Sequence, residues 1–163
     1  MRKAALAIIV IFFVVGISGC TRLATSQGAV AELRITSAPS TVSDSLTAPG
    51  DTTVSVSIEN FTDTSDFDKE LATAYLTSYV STLYIGDTVV GTVEIPSRVV
   101  IKSGATIEVP TVVVTQEEKR NMLKTYGKIE GPLVGYAVVV YNFSDSYGNK
   151  FELVYKPVVR LAY

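Results

Sequence analysis

From residue 30 onward the chain is written in short stretches of Val, Ile, Thr and Tyr, cut repeatedly by Gly, Pro, Asp, Asn and Ser. β-Branched and aromatic side chains suit a pleated, half-buried surface, and the residues between them are those that turn a chain. Such a pattern predicts a mainly β fold, an immunoglobulin- or fibronectin III-like β-sandwich. Strands are expected over residues 31–37, 52–60, 73–85, 88–94, 105–114, 135–143, 151–155 and 158–163. In residues 52–60 Val54, Val56 and Ile58 alternate against Ser55, Ser57 and Glu59, the period of a sheet with one buried face. Residues 40–51 and 96–104 read as connections, and Pro110 marks an edge or a bulge. Residues 135–143, GYAVVVYNF, are apolar enough to lie centrally. Tyr75 and Tyr79, four apart, should share a face, with Tyr84 in the same stretch.

One segment has helical character. Residues 116–126, QEEKRNMLKTY, carry acids in the first turn and a lysine near the end, with Thr115 placed to cap the start and Gly127 to stop the helix. Glu117, Glu118, Lys119 and Arg120 read as its solvated face.

The first 20 residues follow a different logic. Arg2 and Lys3 precede the apolar run AALAIIVIFFVVGI, short for a span that needs roughly 20 apolar residues but apt for an export signal. Ile17-Ser18-Gly19-Cys20 closes the run and resembles the lipobox of bacterial lipoproteins. The resemblance implies cleavage before Cys20, a signal helix over residues 1–19, a lipidated Cys20, a tether to residue 29, and one β domain over 30–163. An ordinary signal peptide or an uncut anchor are the alternatives; all three place the domain outside the cytoplasm. Cys20 is the sole cysteine, so no intrachain disulfide can form.

The order of elements resembles the water-stress-and-hypersensitive-response domain of type 2 late embryogenesis abundant proteins. The likeness is carried by VSVSIEN at Val54 to Asn60, by LYIGDTVVG at Leu83 to Gly91, by Ile95-Pro96, and by IKSGATIEVPTVVV at Ile101 to Val114. A short helix and a late apolar strand then follow. Asn60-Phe61-Thr62 stands where the family has Asn-Pro-Asn, and residues 62–72 resemble an insertion. The resemblance implies a compact sandwich without catalytic residues, acting by interaction in desiccation or envelope stress.

Composition narrows the chemistry. With no His, hydrolytic triads and zinc sites built on imidazole are excluded. The formal charge is -2, and loss of Arg2 and Lys3 with the leader makes it -4, which does not attract nucleic acid. Asp63, Asp66 and Asp68, with Asp145 in a similar loop, could be drawn as an oxygen-lined calcium site, though an EF-hand's glycine and terminal glutamate are missing and a solvated acidic loop accounts for the spacing. Asn60-Phe61-Thr62 and Asn142-Phe143-Ser144 both match the N-glycosylation acceptor pattern, which matters only in a host that glycosylates exported proteins. No cofactor is expected. The partners expected are the membrane, through the lipid, and an envelope protein. A non-enzymatic stress or envelope lipoprotein is the first functional reading, and a structural or adhesive surface component binding through strand edges is the alternative.

Overall fold

The computed structural model describes residues 31–62, 72–127 and 130–163, together with the main chain of Arg22–Leu23. Among these residues ten strands and one helix follow in order. They are β1 (Arg22–Leu23), β2 (Leu33–Ser37), β3 (Thr41–Ser45), β4 (Thr52–Asn60), β5 (Ala74–Ile85), β6 (Thr88–Ile101), β7 (Thr106–Val114), α1 (Gln116–Tyr126), β8 (Leu133–Asp145), β9 (Lys150–Tyr155) and β10 (Val158–Ala162).

The strands form two sheets. The smaller is β2-β4-β7, antiparallel throughout, with β7 and its Pro110 at the edge. The larger is organised by β8, which pairs along one side with β5 and along the other with β9 and then β10. β6 extends it beyond β5, while β1 and β3 extend it beyond β9 and β10. The β3–β10 pair runs parallel, joining residues from opposite ends of the domain.

Alternation places one face of each sheet inward. Val56, Ile58 and Val109 from the smaller sheet meet Leu76, Tyr79, Val139, Tyr141 and Phe143 from the larger, all nearly excluded from water. Each fully buried aliphatic side chain of this kind contributes about 1.5–3 kcal/mol relative to exposure. A second apolar cluster lies under α1, where Met122 packs with Val113, Val114, Leu83, Ala137, Val159 and Leu161.

The helix begins as its sequence indicates. The Thr115 hydroxyl accepts from the Glu118 amide at 3.2 Å, and the Glu118 carboxylate accepts from the Thr115 amide at 2.7 Å. Gly127, at φ 60°, ends it and donates its amide to the Leu123 carbonyl.

Four sequence expectations are corrected. Residues 41–45 form a strand, because the chain's last strand supplies a distant parallel partner that a local pattern with one apolar residue, Val42, does not announce. β6 continues to Ile101 through the expected connection, since an outermost strand tolerates Pro96. Glu118 and Lys119 are buried, not solvated: Glu118 folds back into the cap, and Lys119 reaches under the helix to Asp44 and the Gly50 carbonyl. Tyr75 and Tyr79 lie on opposite faces, exposed and buried respectively. A bulge between Leu76 and Ser78 inserts one residue against β8 and inverts the alternation.

Candidate functional site

The same bulge builds an open groove, the candidate site of the domain. Leu76 pairs with Phe143 and Ser78 with Asn142, so Thr77 and Ser78 together oppose one residue of β8. Both project near the outer surface of the larger sheet, where they border the groove, of about 270 Å³, with Asn142, Ser144, Lys150 and Glu152. Phe143 and Phe151, stacked with centroids 5.6 Å apart, lie beneath and fix β8 against β9 at this level. The Thr77 hydroxyl donates to the Asn142 carbonyl at 3.0 Å, and the Asn142 amide nitrogen donates to the Ser78 hydroxyl at 3.1 Å. Lys150 and Glu152 bring one charge of each sign. Tyr75, cross-strand partner of Ser144, stands beside the groove on the same outer face, 39% exposed.

Below the groove the outer face becomes apolar. Val134, Tyr136, Val138 and Val140 are the outward residues of β8 here, flanked by Val80, Tyr84, Val154 and Val158, with Thr82 beside Val138 and Arg160 beside Val134. Tyr84 and Tyr136 stack at 4.8 Å with nearly parallel rings. Half-buried and exposed valines and tyrosines thus run down the middle of a sheet surface where polar residues ordinarily stand.

The strongly perturbed groups lie inside, bridging the sheets. Tyr141 shares a 2.6 Å hydrogen bond with Thr111, whose hydroxyl also donates to the Val109 carbonyl. Burial raises the Tyr141 phenol well above its ordinary value, and raises Tyr79 as well. Tyr155 donates to the Pro39 carbonyl, and burial pushes its phenol up to about 12. These hydroxyls are held neutral, Tyr79 and Tyr155 bonding main-chain groups and Tyr141 the Thr111 side chain, a structural use. At Asp44 burial pushes the carboxyl up, but hydrogen bonds from Lys119, Thr52 and the Ser45 amide, with the Lys119 charge, hold it below its ordinary value.

Residues singled out by sequence are scattered. Cys20, Asp63, Asp66 and Asp68 lie outside the described residues, as does the expected signal helix. Asp145 accepts from the Tyr147 and Asn149 amides and from the Asn149 side chain, so its carboxylate closes a turn. Among the described residues no group of three potential metal ligands comes together, and no helix is long and apolar enough to cross a membrane. Asn60 and Asn142, which look equivalent in sequence, are not. Asn60 is fully buried at the end of β4, and its amide nitrogen donates to the Ala72 and Ile101 carbonyls at 2.6 and 3.0 Å, leaving the folded domain no room for a sugar there. Asn142 sits within β8 and opens into the groove.

Thr77, Ser78, Ser144, Lys150 and Glu152 carry no motif that marks them in the sequence. A signal is present all the same: Thr77 and Ser78 are two polar residues between Leu76 and Tyr79, where strict alternation allows one. No protein-family model matches the chain, and no curated protein matches it.

Proposed function

We propose that this chain is a non-enzymatic, lipid-anchored protein of the cell envelope whose β domain acts by contact, supporting envelope integrity or tolerance of desiccation. The observation that carries the contact reading is the apolar outer face of the larger sheet, from Val134 to Val140 with the Tyr84–Tyr136 stack beside it. A continuous apolar surface rimmed by polar residues is a usual mark of an interaction site. The resemblance to water-stress-and-hypersensitive-response domains supports the same reading, with a mainly β, two-sheet body and one short helix in the expected place. The anchor rests on Cys20, the sole thiol, at the close of an apolar leader.

The face is preferred to the strand edges as the contact surface. Among the outermost strands, β6 and β7 each carry a proline, Pro96 and Pro110, which removes a donor that an added strand would need, and β2 and β3 are only 5 residues long. The test uses the full chain in its host. Radioactive fatty acid should label wild type and not Cys20→Ala, which should leave the membrane fraction. Cells making Val138→Thr/Val140→Thr should survive drying no better than cells lacking the chain, while that variant remains folded. An unlabelled wild type removes the anchor, and unimpaired survival with the double variant removes the contact face.

A further inference from the structure

We propose that the groove at the β5 bulge binds a single ring of a neutral carbohydrate. Three observations converge on that ligand class.

The first is the inventory of groups. Ser78 and Ser144 present hydroxyls able to give and to take a hydrogen bond, Asn142 presents an amide, and Thr77, whose proton goes to the Asn142 carbonyl, presents an acceptor. Lys150 and Glu152 border the groove with one charge of each sign, so it favours neither anions nor cations. Within the described residues the Ser144 hydroxyl and the Glu152 carboxylate are not spent on the protein itself. A ligand matching this set must itself carry closely spaced groups that both donate and accept, as the hydroxyls of a sugar do.

The second is the neighbouring aromatic. Tyr75 stands across from Ser144 on the same face and is 39% exposed, although its sequence spacing from Tyr79 would turn both the same way in a regular strand. An exposed ring with a polar tip beside hydroxyl-lined space offers an apolar wall for C–H faces and a hydrogen bond at its end.

The third is the bulge. The inserted residue breaks the ladder and sets two hydroxyls, Thr77 and Ser78, against Asn142, where regular pairing would supply one. Such insertions re-aim side chains and recur beside functional sites. At about 270 Å³ the groove is smaller than the roughly 300–1,000 Å³ that encloses larger ligands, which limits the fit to one ring and leaves a longer chain to run off along the surface.

This inference deepens the contact reading and rests on it, giving the outer face a ligand class at its upper end. The test uses the full chain from a host without N-glycosylation, so that Asn142 stays unmodified, in a detergent lacking a sugar headgroup. Glucose, galactose and N-acetylglucosamine are titrated into the isotope-labelled protein, with inorganic phosphate as the charged control. Amide shifts confined to residues 77, 78, 142, 144, 150 and 152 are expected with at least one sugar and not with phosphate. Ser144→Val should weaken binding roughly fivefold, the worth of one net hydrogen bond, and Tyr75→Ala should weaken it further. Arg120→Ala, on the exposed side of α1, should leave it unchanged. No sugar-induced shift, shifts elsewhere, or equal binding by the groove variants would overturn the proposal. The wild-type shift map needs no variant to fold, and the drying and labelling experiments stand or fall separately from it.

Discussion

The Tyr79 hydroxyl, carried on the larger sheet, accepts a hydrogen bond from the Val112 amide of the smaller sheet at 3.0 Å. The same oxygen lies 3.4 Å from the Pro110 carbonyl. One side chain therefore ties the sheets together and occupies main-chain groups of β7 beside its proline. Tyr79→Phe keeps the ring and removes the tie, leaving the Val112 amide without that partner. The expected loss is about 1–2 kcal/mol, read as a lower urea midpoint at unchanged slope. An unchanged midpoint would mean that water replaces the hydroxyl without cost.

Alkali should loosen the domain through these phenols. Tyr155 has its folded value pushed up to about 12 from 10.0, and burial raises Tyr79 and Tyr141 in the same direction. Above pH 10 the unfolded chain releases phenolic protons that the folded chain keeps, so the folded state binds more protons and stability falls as pH rises. The contribution is intact below pH 10 and is lost progressively toward 12. Denaturant midpoints measured from pH 8 to 12 should fall in that window, and Tyr155→Phe should flatten part of the slope while lowering the plateau.

The ion pair beneath the helix should respond asymmetrically to its two partners. Lys119 is 1% exposed and bonds to Asp44 at 2.6 Å and to the Gly50 carbonyl at 3.0 Å, whereas the Asp44 side chain keeps 26% of its surface. Asp44→Ala strands a buried ammonium on one carbonyl, at a cost of about 3 kcal/mol. Lys119→Met leaves a carboxylate that still accepts from Thr52 and Ser45 and touches water, and methionine fills the space of the stem, so about 1 kcal/mol is expected. Because the folded Asp44 value lies below 3.8, its contribution is full above that pH and is lost as pH falls through the folded value. The stability gap between wild type and Lys119→Met should be constant above that pH and narrow only as pH falls below it.

Much of the architecture is legible in the sequence wherever one local rule suffices. Residues 116–126 form the helix with the cap and stop that Thr115 and Gly127 announce, and β4 follows its alternation residue by residue. Legibility ends where a distant partner decides. Val42 needs β10, more than a hundred residues on, before its segment becomes a strand, and Lys119 looks like any surface lysine until Asp44 is brought beneath it. The groove is hidden for a related reason. Period-two counting assumes an unbroken ladder, so the insertion at Thr77 and Ser78 reverses the face assigned to Tyr75 relative to Tyr79. Asn60 and Asn142 share a three-letter pattern, yet one closes a buried corner and the other opens outward, a difference set by their neighbours.

Gly135 gives the most local test of packing between β5 and β8. It sits in β8 opposite Val159, one residue from the Tyr136–Tyr84 pair. A Cβ built there would stand 2.1 Å from the Tyr84 carbonyl oxygen and 2.7 Å from the Ile85 Cδ1. The second contact can be relieved by a rotamer change, but the first is main chain, so one strand must move. Replacing glycine by alanine removes freedom from the unfolded chain and would by itself stabilise by about 0.4–1 kcal/mol. Overpacking against backbone costs about 1–3 kcal/mol, so the clash wins and Gly135→Ala should melt earlier than wild type. Gly91→Ala offers the contrast: the nearest atoms its Cβ would meet belong to the Glu118 side chain, 2.2 Å from Oε1, which can swing away at the expense of the helix cap. That variant should lose less stability than Gly135→Ala, and the reverse order would show that the capping carboxylate is held more rigidly than the paired strands.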